Sequence, residues 1–394
     1  MNSTNNKRFI LSGGGTGGHI FPAVAIAKEL IHRYGEHTEI LFVGAIGKME
    51  MTKVPEAGFQ IVGLPVEGLQ RSLSFKNLSV LFKAVVSIFK ARNIIKTFKP
   101  DAVIGTGGYV SLPVCFMASR MQIPVLLQEQ NGFAGLTNKV VGSRAAMVCT
   151  GFPNMEKFFP KGNWLFTGNP IRDAIIKTGI ARQNSEQKEL LVQEASQKWG
   201  LNPTNNSTLF ITGGSLGART INETILKHLP QLLMADIQII WQTGERFWNS
   251  HRLEIEAQIN QIHQNGNSTP IYVSPFIDSM EIAMSMADVI VSRAGAITLS
   301  EIAIIGTPAI LVPSPNVTDD HQTKNAQVFS GNHAATLVKD SECREKLYSS
   351  IIDLINHPNK RTEFKENLRA LAKPTATATI VDQINHIINP SSHA

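Results

Sequence analysis

His19 closes the run Gly13-Gly14-Gly15-Thr16-Gly17-Gly18-His19. An imidazole titrating near neutrality at the edge of a glycine turn is a candidate general base. Glycines let a backbone approach phosphate oxygens, and the N–H groups opening the next helix attract negative charge. Within that turn, His19 has two other readings: a hydrogen bond to the turn itself, or orientation of a bound diphosphate. Glu129, in Gln128-Glu129-Gln130-Asn131, is a competing base. A third carboxylate, Glu301, stands one helical turn after Thr298, behind Ser292-Arg293-Ala294-Gly295-Ala296. It can accept both hydroxyls of a ribose, or simply complement a helix dipole.

Two more glycine turns follow apolar runs: Gly105-Thr106-Gly107-Gly108-Tyr109 and Gly213-Gly214-Ser215-Leu216-Gly217-Ala218. Together with the first they are hard to assign to tight packing alone. A dinucleotide fold wants an acidic residue at the end of the second strand, where this chain has Val43-Gly44-Ala45, so NAD is not expected. A P-loop would need Lys and Ser/Thr after its last glycine, where His19 and Ile20 stand. Asp319-Asp320 lacks the spacing of an Asp-x-Asp metal motif, and the 3 cysteines form no metal cluster.

The elements that must position these residues read as α/β. Apolar runs at Arg8 to Ser12, Ile40 to Val43, Ala102 to Gly105 and Val125 to Gln128 alternate with helical patterns. A second set follows at Thr208 to Thr212, Ile237 to Gln242, Val289 to Ser292 and Ala309 to Pro313. Such runs are buried parallel strands joined by crossover helices. The first helix is expected to begin near Phe21-Pro22. Phe9 to Leu30 is echoed at Leu209 to Leu229, and Pro100 to Asn131 at Ala287 to Asn316, which makes two Rossmann-like domains the economical reading. The expected boundaries are 1–170, 171–373 with a polar linker at about 171–207, and a helical tail at 374–394. Ligands bind at the carboxyl ends of such strands, so the sheets are expected to face a central cleft.

With 394 residues, 43% of them hydrophobic and 17% charged, the chain can bury sizeable cores. Residues 1–7 do not read as a signal peptide, no run reaches the ~20 apolar residues of a membrane span, and a soluble or peripheral protein is expected. The net charge of +6 suggests an anionic partner. Between Gly68 and Pro100 there is no acidic residue, but Arg71, Lys76, Lys83, Lys90, Arg92, Lys96 and Lys99 are all basic. They accompany Leu78, Leu81, Phe82, Val85, Ile88 and Phe89 at helical spacing. Either this is a core-facing helix with a solvated basic face, or it is a membrane patch. Leu73 and Phe75, beside Arg71 and Lys76, favour a patch for anionic lipid formed with Lys83 and Lys90. A nucleic-acid partner is not expected, because the aromatic residues fit a helix face better than a stacking platform.

The glycine turns, Gln128 to Asn131, Gly168-Asn169-Pro170-Ile171-Arg172, Phe276-Ile277, Arg293 to Glu301 and Asp320-His321-Gln322 together resemble the MurG family across both halves. The resemblance implies a GT-B fold and an inverting transfer of N-acetylglucosamine from UDP-GlcNAc to undecaprenyl-diphosphate-linked muramyl peptide, lipid I to lipid II. It implies that Thr16, Gly17 and Gly18 line the site near donor and acceptor, with Gly14, Gly15, Gly107, Gly108 and Tyr109 by the acceptor diphosphate. Asn131 would contact the donor sugar, while Arg172 and Ser215 reach its diphosphate. The backbone at Ile277 would read uracil, Ala296, Ile297, Thr298, Leu299 and Ser300 would wrap the nucleotide, Glu301 would hold the ribose, and Gln322 a sugar hydroxyl. Many relatives have Gln where this chain has Leu216, which removes one side-chain contact. No cofactor is implied as required and divalent metal dependence stays open. The implied location is the cytoplasmic face of the inner membrane, with cell-wall and division proteins as partners. Rival readings are a UDP-GlcNAc epimerase of the same fold and a non-catalytic nucleotide-sugar-binding membrane protein.

Overall fold

The computed structural model describes residues 6–67, 76–202, 207–317 and 320–389, with the side chains of 76–79 and 81 left aside. The chain forms two compact units, Met1–Ile171 with Lys373–Ala394, and Arg172–Ala372.

Unit 1 runs β1 (Arg8–Gly13), α1 (Gly17–Tyr34), β2 (Glu39–Ala45), α2 (Glu50–Glu56), β3 (Gln60–Leu64), α3 (Lys76–Phe98), β4 (Ala102–Gly107), α4 (Ser111–Arg120), β5 (Val125–Glu129), α5 (Leu136–Gly142), β6 (Met147–Thr150) and β7 (Trp164–Phe166). Its sheet has the order β3-β2-β1-β4-β5-β6-β7 and is parallel in every pairing. The order reverses between β1 and β4, so the turns leaving these two strands lie side by side at the carboxyl edge, where such sheets bind ligands. Phe9, Leu11, Ala102, Ile104 and Leu126 pack against α1 on one face, while Ile10, Val103 and Leu127 pack on the other. Burial on both faces is why these strands read as unbroken apolar runs.

Unit 2 opens with α6 (Asp173–Ala181) and α7 (Ser185–Trp199), followed by β8 (Ser207–Thr212), α8 (Arg219–Met234), β9 (Ile237–Gln242), α9 (Glu245–Gln264), β10 (Ile271–Ser274), α10 (Met280–Met286), β11 (Val289–Ser292), α11 (Ala296–Ile305), β12 (Ala309–Leu311), α12 (His321–Gly331), β13 (Ala335–Leu337), α13 (Cys343–Asn356) and α14 (Pro358–Leu371). Its parallel sheet repeats the plan of the first, β10-β9-β8-β11-β12-β13, reversing between β8 and β11. The last helix, α15 (Ala376–Ile388), returns to unit 1. There Ile380, Val381 and Ile384 join the core, Arg33 pairs with Asp382 at 2.5 Å, and the Tyr34 hydroxyl donates to Asn385.

Two local expectations change. The first helix begins at Gly17, with Pro22 inside it. Pro22 is the sixth helical residue, past the N–H groups that lack an intrahelical partner, so the helix forgoes one i→i−4 bond there and Pro22 does not mark the start. Within the linker expected at about 171–207 around one short helical pattern, the described residues 171–202 hold two helices whose Ile175, Ala195 and Trp199 are buried. Its polar residues are the solvated faces of those helices.

Candidate active site

At the carboxyl edge of the first sheet, the Gly14 N–H donates to the Gly107 carbonyl at 3.3 Å. Gly107 and Gly108 hold φ of 104° and 82°, where a side chain strains the backbone, and a Cβ on Gly108 would collide with the Gly14 carbonyl. His19 sits in the first turn of α1 with its Nδ1 at 2.9 Å from the Gly14 carbonyl and 3.2 Å from the Thr16 hydroxyl. A carbonyl only accepts, so Nδ1 carries the proton, and the neutral ring keeps its lone pair on Nε2. The ring lies against Gly107, where a Cβ would stand 3.0 Å from Nε2.

The N–H groups of Gly14 and Gly15 are engaged inside the protein, the latter by Glu50 Oε2 at 3.0 Å. An anion at this turn is therefore left with the N–H groups that open α1, where the first turn carries no acidic residue. Tyr109, at the exit of the neighbouring turn, is 53% exposed and open to a ligand.

Glu129 ends β5 almost fully buried. Its carboxylate accepts the Asn131 and Gly135 N–H groups at 3.1 and 2.8 Å and the Asn138 amide at 2.9 Å. The Asn131 side chain adds a weaker contact at 3.4 Å. Such a carboxylate ties down the loop into α5 and has little capacity left for a substrate proton. Its neighbours Gln128 and Gln130 are buried too, and with Asn169 they knit β5 to the chain after β7: Gln128 donates to Asn169 Oδ1 at 2.9 Å, and Asn169 to the Gln130 carbonyl at 3.0 Å.

In unit 2 the glycine turn after β8 presents Ser215 exposed and Leu216 at 89% exposure. Gln242, buried at the end of β9, donates to the Gly214 carbonyl at 3.1 Å and the Thr212 hydroxyl at 3.2 Å, and accepts the Ile277 N–H at 3.0 Å. With that N–H engaged, the Ile277 carbonyl is the backbone group left to read a base.

The turn after β11 is clamped by Gln322, whose Oε1 accepts from Ala294 and Ser314 N–H at 3.2 and 2.8 Å. Oxygen must face those donors, so the Gln322 amide group offers Nε2–H to a ligand. Arg293 is structural, reaching the Val312 and Pro313 carbonyls and Asp340. The first N–H groups of α11, from Ala296, Ile297 and Thr298, face outward along the helix axis, whereas Leu299 N–H already donates to Gly295. Glu301 lies buried in the second turn with Arg172 on its Oε1. Burial pushes the Glu301 carboxyl above its ordinary range, and the guanidinium partly offsets that.

On α3, Val80, Ser87, Ala91 and Ile95 face the core, and Phe82, Val85 and Phe89 face solvent at 71%, 45% and 63% exposure. Of the apolar residues at helical spacing, these three lie on the outward side of α3. Lys90 is exposed beside them, and Lys83 reaches Glu67 at 2.5 Å. Arg71, Leu73 and Phe75 lie outside the described residues, as does the side chain of Lys76. No helix among the described residues is long and apolar enough to cross a membrane.

Glu50 and Gln242 escaped the sequence reading. Each is a polar residue at the edge of an apolar element, with partners distant in the chain and no motif to announce it.

Comparison with known proteins agrees with this architecture. The model of the glycosyltransferase family 28 N-terminal domain matches residues 9–150, and that of its C-terminal domain residues 208–382. The chain is 45% identical over 382 residues to the UDP-N-acetylglucosamine--N-acetylmuramyl-(pentapeptide) pyrophosphoryl-undecaprenol N-acetylglucosamine transferase of Cytophaga hutchinsonii, covering 97% of each. It is 44% identical over 393 residues to the protein of the same name from Bacteroides fragilis, covering 98% of each. The crystal structure of Acinetobacter baumannii MurG superposes with a TM-score of 0.76 at 28% identity, over 96% of this chain and 99% of that one. A UDP-GlcNAc 2-epimerase from Neisseria meningitidis, at 14% identity, TM-score 0.62 and coverage of 96% and 99%, shares the fold alone. With both domains matched and near-complete coverage of its relatives, the chain belongs to the MurG family of N-acetylglucosamine transferases, an α/β GT-B fold of two Rossmann-like domains from glycosyltransferase family 28.

Proposed function

We propose that this enzyme moves N-acetylglucosamine from UDP-GlcNAc to undecaprenyl-diphosphate-linked N-acetylmuramyl peptide, converting lipid I to lipid II in peptidoglycan synthesis. The observation that carries this reading is the near-full-length match to relatives bearing that activity in their name. In the reaction, His19 Nε2 takes the proton of the acceptor hydroxyl as its oxygen attacks the anomeric carbon. The bond to UDP breaks with inversion, and the leaving diphosphate takes the electron pair.

Unit 2 is assigned the donor. The opening of α11 and the turn carrying Ser215 face its diphosphate together with Arg172, the Ile277 carbonyl reads the base, and Glu301 accepts the ribose hydroxyls. Gln322 donates to a sugar hydroxyl. Unit 1 is assigned the acceptor, its diphosphate lying on the N–H groups that open α1 near Thr16, Gly17 and Gly18. Glu129 is assigned to the loop that holds Asn131 and not to proton transfer. The enzyme works as a peripheral protein on the cytoplasmic face of the inner membrane, where the basic and apolar surface of α3 meets anionic lipid.

Incubation with labelled UDP-GlcNAc and a short-chain lipid I analogue yields a disaccharide lipid on this reading. Release of a free epimeric sugar without acceptor, or binding without turnover, would favour one of the rivals. Replacing His19 by Ala lowers kcat about 10²- to 10⁴-fold with donor affinity little changed. A purely orienting role would appear in the acceptor KM instead.

A further inference from the structure

Glu50 is a fully buried carboxylate at the start of α2, seated where Gly14 and Gly44 leave room. A Cβ on Gly14 would run into the carboxylate, and one on Gly44 would stand 2.7 Å from Glu50 Cγ. Its Oε1 accepts the Ala45 N–H at 3.0 Å, fixing it to the end of β2, and its Oε2 accepts the Gly15 N–H at 3.0 Å. That N–H belongs to the same peptide unit as the Gly14 carbonyl that accepts His19 Nδ1–H at 2.9 Å. In a trans peptide the two groups point in opposite directions. The carboxylate and the imidazole thus stand at opposite ends of one peptide dipole.

We propose that Glu50 acts through the Gly14–Gly15 peptide as a positioning residue for His19, fixing its Nδ1–H tautomer and raising the basicity of Nε2. A carboxylate on the N–H end increases the negative charge on the carbonyl end, and hydrogen bonds in series strengthen one another in a low-dielectric interior. The arrangement is a carboxylate–histidine pair with one peptide group interposed. When Nε2 takes a proton from the acceptor hydroxyl, the positive charge formed on the ring is stabilised through the peptide. No proton passes through the peptide.

Among the other charged groups on the surrounding elements, Glu129 is buried at the end of β5 and engaged by Asn131, Gly135 and Asn138, and the rest face solvent or lie at the far ends of their elements. Lys48 precedes α2 and is exposed, and Lys53 pairs with Glu56 at 2.7 Å on the same helix. On α1, Lys28, Glu29, His32 and Arg33 lie more than two turns beyond His19. Arg8 and Glu39 pair at the opposite ends of β1 and β2, and α15 brings Asp382 and His386 to the far end of α1. Neither β3 nor β4 carries a charge, Arg120 ends α4, and Tyr109 is the titratable group of the adjoining turn.

The inference rests on His19 being the base, and its test separates the two. Glu50→Gln keeps the shape, removes the charge and exchanges one of the two acceptor oxygens for an NH2 group that cannot accept. The acid limb of its kcat/KM profile moves down by roughly one pH unit, with kcat reduced about tenfold, the scale separating a charge-assisted from a neutral hydrogen bond. Donor KM does not change. A lower rate on an unmoved limb would mean that Glu50 is only structural. Should the variant fail to fold, the unaltered protein decides: the Gly15 amide proton, followed by NMR, must shift along the His19 ring titration and stop doing so in His19→Ala. A Gly15 amide that ignores the titration overturns the relay. If the amide follows it but His19→Ala retains parental kcat, the relay stands and the base assignment falls.

Discussion

Arg172 places both Nε and Nη2 at 2.9 Å from a single oxygen of Glu301, Oε1. The guanidinium is half exposed and the carboxylate side chain only 7% exposed, so the two members of the pair have unequal stakes in it. The cation can be rehydrated if the pair opens; the anion cannot without a replacement ligand. The convergence on Oε1 leaves Oε2 to accept from a ribose hydroxyl, so nucleotide entry need not break the pair.

This asymmetry gives opposite outcomes for the two substitutions. Burial raises the Glu301 carboxyl above its unfolded value near 4.5. A group raised in the folded state contributes stability below its unfolded value, and loses that contribution as pH rises through the folded one. At neutral pH the ionised carboxylate is thus a cost that Arg172 partly offsets. Arg172→Ala should lower stability by about 1–2 kcal/mol, below the figure for a fully buried pair because Arg172 is half exposed. Glu301→Gln should be neutral or stabilising and should flatten the pH dependence above the unfolded value. Thermal melts of the two variants across pH check both signs.

Binding should follow a different order. A charge-assisted hydrogen bond from a ribose hydroxyl to Oε2 is worth roughly 1.5–3 kcal/mol, so losing it in Glu301→Ala should weaken UDP-GlcNAc by about one to two orders of magnitude. Calorimetric titration with the donor reads this directly. A variant that keeps its circular dichroism spectrum and binds as tightly as the parent rules out the ribose role.

Glu129→Ala tests whether the loop into α5 depends on its carboxylate. The substitution removes the acceptor of the part-buried Asn131 and Gly135 N–H groups and of the buried Asn138 amide, a buried donor left unsatisfied costing about 1–3 kcal/mol. A fall of several degrees in Tm is expected. On the proposal that His19 takes the proton, the acid limb of the rate profile should stay in place. Parental stability with a displaced limb would restore Glu129 as the base.

The strands and glycine turns were legible because each is a local signal. Phe9 to Leu11 and Leu209 to Ile211 are buried on both faces and so are continuously apolar, and the turns after them need positive φ at Gly15 and Gly214. The strands β3, β6, β7, β10 and β13 were not legible, because none is buried along its whole length, whereas the equally short β11 and β12 are. The destination of α15 was also hidden: its apolar face would suit either sheet, and what fixes it to unit 1 is a match to Arg33 and Tyr34 some 349 and 351 residues away. Glu50 and Gln242 were missed for the same reason, since a buried polar residue is defined by partners that only the fold assembles. Arg172 was singled out by resemblance and Glu301 by its place one helical turn after Thr298, but their pairing was not.

The outward row of Phe82, Val85 and Phe89 allows the two components of membrane attachment to be separated. Attraction of a basic residue to an anionic surface is worth about 1 kcal/mol per Lys or Arg and decays within a Debye length. Reversing Lys76, Lys83 and Lys90 to Glu should release the enzyme from anionic vesicles, most visibly at low salt. The Lys83–Glu67 contact is exposed and contributes little to folding, so the fold should survive. Replacing Phe82 and Phe89 by Ser removes a hydrophobic term of about 1.5–3 kcal/mol for each side chain that buries fully in lipid, and that loss should hardly depend on salt. In both variants turnover of vesicle-borne acceptor should fall while that of a short-chain soluble acceptor stays near the parental rate. Co-sedimentation with anionic and neutral vesicles at low and high salt distinguishes the terms. If the triple Glu variant sediments like the parent, these lysines are a solvated helix face. If the Ser variant also does, attachment lies on another surface of the protein.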